Sequence, residues 1–284
     1  MEWTSLSLFT VLSEAAVGLV LLYGLLGLTQ AARSQPEEFR RLGQTALLTA
    51  SVTTLFSMVI SLEHLGWPLF AFRAIGALGS SWLSWEVLLT GLFALGAALL
   101  WWGGRQSPLP LWGFGSLSLV GLSAVYSSGM IYTLPSVPAN AGGFPVLLFL
   151  AATLLTGGAA LLLLLALTPA GRRLAPSWLI PLALLTVGAI LLTALLTFAF
   201  AGAAASGLPE ARAQAALFQG SSWYLVRMLL GLLLPALLLL WVAWRPKVDR
   251  VMLALPVVLV LAGELAGRIL FFASTVFMGV NTGL

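Results

Sequence analysis

Five ionisable side chains lie inside long apolar stretches of this sequence: Glu14, Glu86, Arg227, Glu264 and Arg268. A charged side chain within a membrane helix costs at least about 2.5 to 3.5 kcal/mol on insertion scales, so each residue is a functional candidate by default. Carboxyl groups in such places accept and release protons, and they also bind ions. The residue types therefore indicate proton transfer or ion binding within a membrane.

The only imidazole of the chain, His64, ends the second apolar stretch beside Glu63, and a turn sequence, Leu65-Gly66-Trp67-Pro68, follows it. Histidine changes charge near neutral pH, which suits it to proton uptake and release. Arg73 follows in the adjoining connection. At the membrane surface Glu63 is most simply solvated, so His64 is the stronger functional candidate of this segment.

The composition predicts the elements that position these residues. Of 284 residues, 60% are hydrophobic and 8% are charged, and the mean hydropathy is +1.05, unlike an ordinary soluble domain. Because a transmembrane helix needs about 20 apolar residues, we predict an all-α integral membrane protein, a single domain of eight helices. The predicted helices cover approximately residues 6–30, 44–62, 83–103, 109–132, 144–168, 177–203, 221–244 and 251–277.

Basic residues are distributed unevenly between the predicted connections. The connections after helices 2, 4 and 6 carry only Arg73 and Arg212. Those after helices 1, 3, 5 and 7 carry Arg33, Arg40, Arg41, Arg105, Arg172, Arg173, Arg245, Lys247 and Arg250. Cytoplasmic connections are the ones enriched in Lys and Arg, so both termini are predicted on the periplasmic side of the inner membrane. With this orientation the five buried ionisable residues favour the outer half of the membrane.

Several classes of site are excluded by residue counts. The chain has no cysteine, so it holds no iron-sulfur cluster or disulfide, and with one histidine it cannot ligate a haem between two histidines. The pI near 10.1 comes from basic residues in short loops, which indicates membrane topology and not nucleic-acid binding.

Structural roles are also possible for the buried charges. Glu264 precedes Arg268 by four residues, the favourable order for an ion pair within one helix, so a structural pair is predicted there. Arg227 is expected to pair with Glu14 or Glu86, because a lone buried charge is costly.

Two neighbouring segments carry a resemblance to a known family. The run Ser61-Leu62-Glu63-His64-Leu65-Gly66-Trp67-Pro68, followed by Ser81-Trp82-Leu83-Ser84-Trp85-Glu86, resembles the dimethyl sulfoxide reductase anchor-subunit family (DmsC-like). The segments 130–138 and 262–268 are also similar to that family, and so are the chain length and the eight-helix topology. The His-Leu-Gly-x-Pro element with the downstream Leu-Ser-x-Glu is the most specific part.

The resemblance implies a membrane anchor that takes electrons from a quinol, usually menaquinol, during anaerobic respiration. Its partners would be an iron-sulfur subunit and a molybdopterin catalytic subunit on the outer side of the membrane. By position, His64 and Glu86 match the family's quinol-site residues. His64 would be the hydrogen-bonding base at one quinol hydroxyl, and Glu86 the second acceptor or proton exit.

Two arginines and two tryptophans are expected to support this quinol site. Arg227 and Arg268 would keep the acids ionised, and Trp82 and Trp85 are interfacial residues that can also wall a quinone pocket. The expected quinol-binding residues are His64, Glu86, Trp67, Arg73, Glu14 and Arg227.

Three alternatives remain open on the sequence. A proton- or ion-coupled transporter also uses buried Glu and Arg, although its site tends to lie near the membrane midplane between repeated halves. A purely structural anchor would leave the quinol to bind elsewhere. A polysulfide-reductase-type anchor would share the same quinol chemistry.

Overall fold

A computed structural model describes residues 2–64, 68–105, 110–245 and 250–279 of the chain. Within these ranges the protein is helical without strands, and eight helices are long and apolar enough to cross a membrane. The predicted all-α class and the eight spans are therefore confirmed. The periplasmic placement of the termini stays a prediction.

The eight spanning helices are numbered in chain order. They are α1 Glu2–Leu26, α2 Pro36–Ser61, α3 Trp82–Gly103, α4 Leu111–Ile131, α5 Phe144–Leu167, α6 Pro169–Ala205, α7 Ser222–Ala243 and α8 Arg250–Ala273. Proline begins α2 and α6, where its missing N–H costs nothing. Thr168 caps α6, since its side chain accepts a hydrogen bond of 2.9 Å from the Gly171 N–H.

Two helices form the centre of the bundle. In α1 and α5, 72% of the most apolar window is buried, the largest share among the eight helices. α1 contacts α2, α4, α5 and α8, and it meets α5 most closely at Gly18 and Gly157. Any Cβ at Gly157 would overlap the Gly18 backbone, so the two helices approach as small residues allow in membranes.

Gly157→Ala is therefore expected to destabilise the protein by about 1 to 3 kcal/mol, because the added methyl forces α1 and α5 apart. The measurement is the unfolding midpoint in detergent. Gly188→Ala in α6 is the matched control, since a Cβ there meets open space. Equal midpoints for the two variants would contradict the close approach of α1 and α5.

Short elements cover the end of the bundle where α1 begins and α8 ends, which we call the terminus face. They are the 3-10 turns Leu62–His64, Pro68–Ala77 and Pro138–Asn140, the surface helix Pro209–Gly220, and residues 274–279. Gln214 joins three of them, donating to Asn140 Oδ1 at 3.3 Å and accepting from the Val276 N–H at 3.3 Å. Gln214 therefore ties the surface helix to two neighbouring segments of this face.

α7 departs from regular helix. Its first turn is α-helical, but Val226–Leu233 form a π-helix before the α-helix resumes at Leu234. π-Helical turns are rare and occur often at functional sites. The irregular segment packs against α8, with Gly231 and Gly263 in backbone contact.

Candidate functional site

All five predicted ionisable residues are buried, with relative exposures of 2% to 6%. At about 1.5 Å rise per residue, Glu86, Arg227 and Arg268 lie about 6 to 8 Å below the terminus-face ends of their helices. Glu264 lies about 14 Å below, and Glu14 about 18 Å below, because α1 begins earlier than predicted. The five residues thus lie at depths of about 6 to 18 Å below the terminus face.

Four of the five form two ion pairs between helices. Arg268 Nη2 on α8 donates to both carboxylate oxygens of Glu14 on α1, at 2.5 and 2.7 Å. The same guanidinium lies over the ring of Phe149, 3.5 Å from its centroid, a cation–π contact. Arg227 on α7 lies 3.3 Å from Glu264 Oε1 on α8. Each arginine therefore neutralises one carboxylate of a neighbouring helix.

These pairs correct the predicted structural pair of Glu264 with Arg268. The four-residue spacing does place both on one side of α8, but that side packs against α1 and α7. Glu14 and Arg227 on those helices supply partners across the interface. Arg227 likewise pairs with neither of the two acids expected for it.

A glycine and the π-helix make room for Arg227. A Cβ at Gly267 would overlap the Arg227 guanidinium, so this position on α8 accepts the side chain only because it is glycine. The Arg227–Glu264 pair is looser than the other one. Its single hydrogen bond measures 3.5 Å, and both Arg227 Nε and Glu264 Oε1 are buried without a hydrogen-bond partner.

The fifth residue, Glu86, lies apart from both arginines. The Ser128 hydroxyl of α4 lies near enough to interact with its carboxyl, and both residues line one cavity. Among the residues that the structure describes, it forms no salt bridge with a basic side chain. Of the three carboxyls in this group, Glu14 and Glu264 each pair with an arginine. Glu86 is therefore the one of the three that can gain or lose a proton without breaking an ion pair.

Glu86 and Glu14 line one cavity of about 20 Å³, enclosed by α1, α2, α3 and α4. Its other lining residues are Phe9, Thr10, Ser13, Val17, Thr54, Thr90, Phe93, Ala124, Val125 and Ser128. A volume of about 10 to 15 Å³ holds one water, so this polar cavity has room for roughly one. A single bridging water can therefore connect the two carboxyls.

Tyr132, just beyond α4, connects this cavity electrostatically to the ion pairs. Burial, with Glu86 nearby, raises the pKa of the Tyr132 phenol above its ordinary value. The ring packs 5.0 Å from Phe272 and 5.7 Å from Phe149, measured between centroids. Tyr132 therefore stays a neutral phenol near neutral pH.

A wide groove of about 710 Å³ opens beside Glu86 on the outside of the bundle. Trp82, Trp85 and Tyr126 line it together with Leu89, Leu122, Ser123, Ser127 and Leu150. Trp82 packs edge-on against Tyr126, with centroids 5.8 Å apart. Because Trp85 adjoins Glu86 and Ser127 adjoins Ser128, only the seam between α3 and α4 separates the groove from the cavity.

Four predicted quinol-binding residues are not found at the Glu86 cavity in the described part of the chain. The backbone of His64 lies in the turn Leu62–His64, which contacts α1, but its side chain lies outside the described residues. Trp67 also lies outside them. Arg73 is exposed on the terminus face and does not line the cavity of Glu86, and Arg227 does not line it either. In the described part of the chain, no cluster of three metal-ligating side chains occurs.

Ser128, Tyr132 and Gly267 belong to the site but were not predicted from the sequence. Ser128 had a weak signal, since it follows Ser127 at the end of an apolar helix. Gly267 had no such signal. Its role is to leave space for the Arg227 side chain, which belongs to another helix.

Comparison with known proteins matches nearly the whole chain to one protein family. Residues 1–274 match the model of the DMSO reductase anchor subunit (DmsC) family. A curated relative, the anaerobic dimethyl sulfoxide reductase chain YnfH of Escherichia coli (strain K12), is 29% identical over 161 residues. That alignment spans about half of each protein, 55% of this chain and 55% of the relative.

Proposed function

Because this chain belongs to the DMSO reductase anchor subunit family, we propose that it is the quinol-oxidising membrane anchor of a dimethyl sulfoxide reductase-like complex. The quinol would be menaquinol or a related quinone in its reduced form. It would bind near the terminus face of this multi-pass inner membrane protein. The electrons would pass to an iron-sulfur subunit and on to a molybdopterin catalytic subunit.

The observation that carries this proposal is the isolation of Glu86. The other two buried carboxylates are neutralised by arginines, whereas Glu86 has a hydroxyl partner and an adjoining polar cavity. An acceptor for a quinol proton needs a carboxyl that is free to change its protonation state. Glu86 meets this requirement, and its position matches the family's quinol-site residue.

Quinol oxidation releases two electrons and two protons. His64 and Glu86 would accept the protons from the two hydroxyls, and the electrons would leave the chain directly. Without cysteine the polypeptide offers no thiolate for an iron-sulfur cluster, so a neighbouring subunit must receive the electrons.

The groove walled by Trp82, Trp85 and Tyr126 would admit the quinol from the bilayer. Ligand pockets of drug-sized molecules measure about 300 to 1,000 Å³, a range that includes this groove but not the cavity at Glu86. In this proposal the ring enters where α3 meets α4, separating Glu86 from Ser128 and presenting the carboxyl to the quinol.

The test is quinol-analogue oxidation by the affinity-purified complex, with the copurified chains identified and their iron and molybdenum content measured. We expect metal-containing partners, and an assembled His64→Ala complex that has lost quinol oxidation. A chain that purifies alone and metal-free in mild detergent would instead support a transporter. An assembled His64→Ala complex with full activity would support an anchor without a quinol site at His64.

A further inference from the structure

A second buried cavity, also of about 20 Å³, lies next to the ion pairs. Its polar lining residues are Thr197, Arg227, Glu264 and Arg268. Arg227 Nε, a donor, and Glu264 Oε1, an acceptor, have no hydrogen-bond partner although both side chains are more than nine-tenths buried. Buried polar atoms are nearly always hydrogen-bonded, and one water needs about this volume and two to four partners.

The Glu14–Arg268 pair joins the two cavities. Glu14 lines the first cavity together with Glu86, and Arg268 lines the second together with Glu264. Two water-sized cavities are therefore separated by one carboxylate–guanidinium contact of 2.5 Å. Carboxyl groups alternate with arginines along this series, so each arginine lies between groups that can accept a proton and has N–H protons to exchange with them.

The second cavity also approaches the terminus face. Phe218 of the surface helix Pro209–Gly220 forms part of its wall, and that helix covers part of this face. Glu264 and Arg227 thus lie between the Glu86 cavity and the surface helix. The hydroxyl of Thr197 donates to the Thr193 carbonyl, leaving its lone pairs for a donor in the cavity.

We propose that the protons of quinol oxidation leave the Glu86 cavity through Glu14, Arg268, Glu264 and Arg227 and reach the terminus face beneath the surface helix. This inference rests on the proposed function. Each quinol gives two electrons to the partner subunit and two protons to His64 and Glu86. Glu14 accepts each proton from the Glu86 cavity. Arg268 then gives one of its N–H protons to the second cavity as it takes the proton held by Glu14, and Glu264 accepts the released proton there. Both arginines end each transfer charged, so every group returns to its starting state.

The test compares Glu264→Gln and Glu264→Asp in the purified complex, with Glu210→Gln on the surface helix as the control. We expect Glu264→Gln to lower the kcat of quinol-analogue oxidation at least about 10-fold, with KM unchanged and an increased solvent deuterium isotope effect. Glu264→Asp retains a carboxyl and should keep most of the activity. A small weak acid such as formate should partly restore Glu264→Gln.

Two outcomes would overturn the route. One is wild-type kcat in assembled Glu264→Gln. The other is a slow Glu264→Gln enzyme that neither formate nor the Asp variant restores, which identifies a structural role. Glu264→Gln could fail to assemble because it leaves Arg227 unpaired. In that case the neutral double variant Arg227→Gln/Glu264→Gln replaces it. The same kcat and formate-rescue criteria then apply, without the comparison to Glu264→Asp. Absence of quinol oxidation in the wild type would instead refute the proposed function itself.

Discussion

Replacing Glu86 with Gln is expected to slow quinol oxidation by the assembled complex at least about 100-fold, the usual contribution of a positioned proton acceptor. Gln has nearly the same size and can still interact with the Ser128 hydroxyl, but it cannot take up a proton. The α3–α4 packing is therefore preserved while the chemistry is removed. The measurement is kcat with a quinol analogue, normalised to the amount of assembled complex.

Glu63→Gln provides the matched control for that variant. Glu63 is another carboxyl near the terminus face, but its side chain is exposed and does not line the cavity. We expect it to keep wild-type turnover. Equal rates for Glu86→Gln and wild type would show that Glu86 is not the proton acceptor, and equal losses in both variants would indicate a general charge effect.

Arg268→Met is expected to produce the largest loss of stability, about 3 to 5 kcal/mol, because it leaves the Glu14 carboxylate buried and unpaired. Methionine fills much of the arginine volume and retains contact with Phe149. The measurement is the free energy of unfolding in detergent, together with the yield of folded protein.

A double-mutant cycle separates pairing from packing in this prediction. Arg268→Met combined with Glu14→Gln removes both charges, so it should recover most of the lost stability. Arg212→Met, an exposed site on the surface helix, should change stability by less than about 0.5 kcal/mol. If the double variant is no more stable than Arg268→Met alone, the ion pair is not the source of the effect.

Glu86 and Arg268 are expected to have different roles among the buried charges. Glu86 is expected to matter for turnover and little for stability, since its loss removes no ion pair. Arg268 is expected to matter for stability first, since it neutralises Glu14 and packs on Phe149. Observing both patterns would distinguish the carboxyl that first accepts the quinol proton, Glu86, from the arginine on which folding depends, Arg268.

The sequence by itself determined the class of the protein, the eight helices and the family. A run of about 20 apolar residues is a local property fixed by the thickness of the bilayer, so each span is visible without its neighbours. The candidate residues were visible for the same reason, since Glu14, Glu86 and Glu264 interrupt runs in which a charge is costly. The His64 and Glu86 segments carried the family resemblance through short local motifs.

Only the tertiary structure decided which charges meet. The spacing of Glu264 and Arg268 favoured a pair within α8, but interhelical contacts gave each a partner on another helix. That choice depends on how α1, α7 and α8 pack, which no single segment specifies. The same packing left Glu86 without an arginine partner. It also gave Gly267 and the α7 π-helix their roles in accommodating Arg227, because the space for a side chain depends on the neighbouring helices.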